Sequence, residues 1–166
     1  FGPVNTIQQG QVYLGDWSGW TPGSLTVSNA NVRLLCPGGV TIPGDVTVRN
    51  SGVLGVGGDA SYYGNPAFYH PLTESVTPAL AVGGDLTLSN LSSLELFAGG
   101  AGATFDVGGS MVVGAGCTNR LYCHPVSGGA PLLRVRDLDV NAGGALDASA
   151  FGYCGIVQSN SVWYGL

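Results

Sequence analysis

The sequence predicts an all-β chain wound as a right-handed parallel β-helix, a β-solenoid of about five rungs with one aromatic-rich insertion. Three observations predict it: an internal repeat, alternating apolar strands within each repeat, and a composition rich in turn formers and poor in charge. Four segments lie over one another: "VTIPGDVTV" (Val40 to Val48), "LAVGGDLTL" (Leu80 to Leu88), "FDVGGSMVV" (Phe105 to Val113) and "LRVRDLDV" (Leu133 to Val140). Each reads apolar-x-apolar, a corner, Asp or Ser, then apolar-x-apolar. The last is one residue shorter at the corner. "GSLTV" (Gly23 to Val27) is a weaker copy. Alternation with period two is the signature of a strand with one buried face.

The residues after the Asp or Ser position are Leu25, Val46, Leu86, Met111 and Leu138, spaced 21, 40, 25 and 27 apart. The long interval holds the insertion, from Gly57 to Ala79. A third apolar pair follows most repeats: Val32 and Leu34, Val53 and Leu54, Leu94 and Leu96, Ala145 and Leu146. Each period therefore carries two or three short strands. The residues between them are Gly and Asn, which reach positive φ readily. Stacked rungs would put equivalent apolar side chains on one another and pair their backbones at ~4.8 Å. Rungs of unequal length without a strict hexapeptide favour the right-handed coil. A β-sandwich is the alternative, since it also has short strands at regular spacing. A sandwich does not require its strands to resemble one another.

Taken in order, 1–22 reads as an N-terminal cap or contact segment, 23–156 as the repeats with the insertion at about 57–79, and 157–166 as a C-terminal contact segment. The start at Phe1 and the apolar finish at Leu166 read as a processed product or a piece of something longer.

Composition narrows the function classes. Glycine is 29 of 166 residues, more than twice the usual share of roughly 7%. Charged residues are 9%, there is no lysine, and the net charge is −5. Five scattered arginines cannot supply the phosphate neutralisation that nucleic-acid binding needs. No apolar run approaches the ~20 residues of a membrane span. The apolar content of 45% is too high for a disordered chain.

Few residues suggest chemistry. Cys36, Cys117, Cys123 and Cys154 are an even set and read as two disulfides of open pairing. A local loop could join Cys117 to Cys123, which would leave Cys36 for Cys154. Cys117 and Cys123 are too far apart for a standard zinc knuckle. His70 and His124 each precede a proline and read as surface-loop residues. Asp45, Asp85 and Asp137, with Ser110 at the matching place, form a corner ladder that caps turn N–H groups. Calcium binding and a catalytic carboxylate cluster are the weaker readings of that ladder. No Gly-x-Ser-x-Gly elbow is present. The sequence therefore calls for no catalytic residue, no metal and no cofactor.

The aromatics fall outside the repeat: Trp17 and Trp20, then Tyr62, Tyr63, Phe68 and Tyr69 in the insertion, then Trp163 and Tyr164. They read as caps or as a patch for a partner or for sugar rings.

The segments "VGGDLTLSN", "VGGSMVV" and "NAGGALDASAFGY" resemble the Gly-rich repeats of secreted bacterial β-solenoid surface proteins, the style of adhesins and autotransporter passenger domains. The resemblance spans roughly Gly23 to Tyr153. It implies an extracellular or cell-surface location and a structural or adhesive role, and transfers no functional residue. The expectation is a non-enzymatic module that stacks end to end through 1–20 and 157–166. A carbohydrate-binding module is the alternative, and a fragment of a polysaccharide-degrading β-helix enzyme the weakest reading.

Overall fold

The computed structural model describes residues 4–8, 11–14, 21–34, 39–57, 78–124 and 128–149. These form β1 (Val4–Gln8), β2 (Gln11–Leu14), β3 (Ser24–Ser28), β4 (Asn31–Leu34), β5 (Val40–Ile42), β6 (Val46–Arg49), β7 (Val53–Val56), β8 (Ala79–Val82), β9 (Leu86–Leu88), β10 (Ser93–Phe97), β11 (Ala103–Val113), β12 (Thr118–Tyr122), β13 (Pro131–Val140) and β14 (Ala145–Asp147). No helix occurs among the described residues, and none is therefore long and apolar enough to cross a membrane.

The strands lie in two sheets, and all pairs between them are parallel. The larger has eight strands, ordered β1-β3-β6-β9-β11-β8-β5 with β13 against β11. The smaller has six, ordered β14-β12-β10-β7-β4-β2. This order follows from the repeat. β5, β6 and β7 make one tier; β8, β9 and β10 pair with them in turn as the next. In the following tier β11 alone covers both β8 and β9, before β12 pairs with β10. β13 and β14 repeat that arrangement. β1 and β2 extend the two sheets at the other end, within 1–22. Parallel strands in successive tiers are compatible with a parallel β-helix. They differ from the antiparallel sheets of a sandwich.

The core is a set of columns running through the tiers. Leu25, Val46, Leu86 and Met111 form one; Val27, Val48, Leu88 and Val113 form the next. Val40, Leu80 and Phe105 stack in the neighbouring strands. All of these are buried. Each such side chain contributes roughly 1.5–3 kcal/mol through apolar area removed from water, so the repeat is itself the source of stability. In the smaller sheet the columns are Val32–Leu54–Leu94 and Leu34–Val56–Leu96. The inward pair of β7 is thus Leu54 and Val56, one residue on from the Val53 and Leu54 expected above, and Val53 is only half-buried. A one-residue shift of this kind exchanges the two faces of a strand. The sequence reading also missed β12, because Asn119 occupies its apolar position. Asn119 is fully buried, and both polar atoms of its amide lack a hydrogen-bond partner.

Candidate functional site

The Asp and Ser corner positions form a working ladder. The Asp85 backbone N–H donates to Asp45 Oδ1 at 2.9 Å, and the Ser110 N–H donates to Asp85 Oδ1 at 2.8 Å. Each carboxylate therefore caps the corner of the tier after it, which supports the capping reading. Two stacked carboxylates repel; the donated N–H groups offset this, and Ser110 keeps a third charge out before Asp137. The glycines of "GGD" and "GGS" make the close approach feasible. A Cβ on Gly84 would overlap Asp45 Oδ1, and one on Gly109 would overlap Asp85 Oδ1 and stand 2.6 Å from the Gly84 carbonyl oxygen.

The next corner carries a second ladder. Asn50 Nδ2 donates to Ser28 Oγ at 3.0 Å, and Asn90 Nδ2 donates to Asn50 Oδ1 at 3.1 Å. Asn29, Asn50 and Asn90 all have φ near +50°, a conformation that Asn tolerates better than most residues.

A third column, which sequence reasoning missed, crosses the outward side of the smaller sheet. Register aligns Arg33, Gly55, Glu95, Arg120 and Asp147 on successive strands. Arg33 Nη1 donates to Glu95 Oε2 across the strand between them. That reach exists because Gly55 has no side chain: a Cβ there would overlap the guanidinium. Arg33 and Glu95 are buried, Arg120 is 3.5 Å from Glu95 Oε1, and Asp147 lies 3.9 Å beyond Arg120. Signs alternate along the column wherever a side chain is present. Beside it, Phe97 stacks on Tyr122 with centroids 4.3 Å apart. Burial, and secondarily the Glu95 charge, pushes the Tyr122 hydroxyl up to about 12. The only sequence signal was the spacing of these residues from the repeat markers, legible once register was known.

The cysteine and histidine expectations change. Cys117 and Cys123 are both free. The local Cys117–Cys123 bridge is corrected: the five residues of β12 separate them, and extended chain at ~3.3 Å per residue holds their Cα atoms well beyond the ~7 Å limit of a disulfide. Burial pushes the Cys123 thiol up, away from the reactive thiolate. His124 is buried and not a surface-loop residue; its backbone N–H donates to the Gly129 carbonyl. No three His, Cys, Asp or Glu side chains are grouped to hold a metal among the described residues. Cys36, Cys154, His70, Trp17, Trp20, Tyr62, Tyr63, Phe68, Tyr69, Trp163 and Tyr164 lie outside the described residues.

The last described tier differs from those below it. Leu132, Leu138, Val140 and Leu146 are 40–53% exposed. β13 and β14 are each paired on one side alone among the described residues. Arg134 joins β13 to β11 through a forked pair with Asp106, at 2.5 and 2.8 Å. Hydrogen bonding to this guanidinium holds the Asp106 carboxyl below its usual range.

Comparison with known proteins finds no matching family model, no matching curated protein and no matching solved structure.

Proposed function

We propose that the chain is a non-enzymatic structural module, a right-handed β-solenoid rod of an extracellular or cell-surface assembly that stacks end to end into a fibre. The observation that carries this reading is the last described tier, whose parallel strands β13 and β14 are each paired on one side alone among the described residues and leave Leu138, Val140 and Leu146 exposed in the columns that are buried beneath them. Parallel edges of this kind invite a further strand. The polar side chains support the same role. Asp45, Asp85, Asn50 and Asn90 each bond to a neighbouring tier, and Arg33 bonds to Glu95 across the tier between them, so their chemistry holds the stack together.

Negative-stain electron microscopy with light scattering on one native sample tests the proposal. Filaments are expected, with an axial repeat of at least roughly 30 Å, the span of the six described tiers at ~4.8 Å. Discrete monomers at every concentration would overturn it.

A further inference from the structure

We infer that a single water molecule is bound in the core at Asn119, held by the side-chain amide. Asn119 lies in β12, in register with Leu94 of β10 and Leu146 of β14. It therefore continues the inward column Val32–Leu54–Leu94. The next inward column reads Leu34, Val56, Leu96 and Leu121. Among the described residues, Asn119 is the one polar side chain in these two columns. Its exposure is zero, and neither Oδ1 nor Nδ2 has a hydrogen-bond partner among the described residues.

Other polar side chains of the tiers are placed differently. Asn50 and Asn90 each donate to the neighbouring tier from an exposed corner. Ser92 is buried, but its Oγ donates to the Val48 carbonyl and accepts the Ser89 N–H. Asn119 alone among these is closed off from bulk water with its whole amide unmatched. A dry amide gives up its hydrogen bonds to water and receives none in return, and folded chains rarely tolerate that loss.

The surroundings define the occupant. Oδ1 calls for a donor and Nδ2 for an acceptor, so the occupant must be both. The inward residues beside Asn119 are Leu94, Leu121 and Leu146, none of which can balance an ion. An unpaired ion in apolar surroundings costs far more than the amide could return. What fits is a small neutral molecule that donates and accepts, and water does both. Packing beside Asn119 also leaves a way in. Leu121, two residues on, is half-buried, whereas Leu96 below it in the same column is fully buried.

Nuclear magnetic resonance on the unaltered full chain, labelled with heavy nitrogen, tests the site. Cross-peaks are expected between the Asn119 Nδ2 protons and the water signal. They should have opposite signs in laboratory-frame and rotating-frame experiments, which marks a held water and excludes proton exchange. Contacts from these protons to neighbouring methyl groups with none to water would overturn the inference. A coupling across a hydrogen bond from Nδ2 to a carbonyl of the chain would overturn it too, since a protein group then satisfies the amide. Asn119→Leu supplies a second readout. It should remove one long-lived water from the number counted by water-oxygen relaxation dispersion, and an unchanged number would overturn the site. The first measurement needs no variant, so it decides the matter even where N119L fails to fold.

Discussion

β11 and β13 are copies of one repeat, paired in register, and their surroundings are opposite. Met111 and Val113 are fully buried, whereas Leu138 and Val140, their partners in the next strand, are 46% and 40% exposed. The side chains are of similar size and polarity. Among the described residues, β11 has strands on both sides and β13 on one. In a stack of parallel tiers, burial comes from the neighbour above as much as from the strand's own alternation. The same sequence pattern can thus be core in one tier and half-exposed in the next.

Matched substitutions in the two tiers would break or sharpen this comparison. The largest difference is expected in the charged column. Glu95→Ala leaves Arg33 buried without its partner and should cost about 3–5 kcal/mol. Asp147→Ala, at the exposed end of the same column, should cost under about 1 kcal/mol. Urea denaturation of both variants reads the difference, and equal losses would remove the distinction between inner and end tiers. Next, Met111→Ala should cost about 3 kcal/mol through the cavity it opens. Leu138→Ala should cost about 1 kcal/mol or less, because water already reaches that side chain.

A smaller effect is expected at the corner. Gly109→Ala should lose about 1–3 kcal/mol, since the added methyl collides with Asp85 and the Gly84 backbone. The end tier accepts a full side chain, Arg136, at the equivalent corner only because that corner is one residue shorter and the register shifts there. The smallest effect belongs to the ladder itself. Asp85→Ala should cost about 1 kcal/mol by removing one bond to a backbone N–H. Asp137→Ala should leave the melting temperature almost unchanged, because the described bond of its side chain is to exposed Arg136 of its own strand.

Much of this was legible in the residues. Four alignable segments and their Asp or Ser corners were enough to place β5, β6, β8, β9, β11 and β13, and the capping role of Asp45 and Asp85 followed from their position. β12 was not legible, because Asn119 breaks its alternation at a buried position. The Arg33–Glu95 pair was not legible either. Its members are 62 residues apart, and only the pairing of β4, β7 and β10 brings them to one column. The Cys117–Cys123 loop failed because a strand, with its backbone paired on both sides, fills the space where a loop was expected.

By itself the sequence determined the strand alternation, the repeat and the corner chemistry, because these depend on neighbours within a few residues. Only the tertiary structure decided which long-range columns form, which strand face of β7 is inward, and which described tier keeps its apolar side chains half-exposed. Those outcomes depend on register between tiers and on what lies above each strand, and neither is encoded in any one repeat.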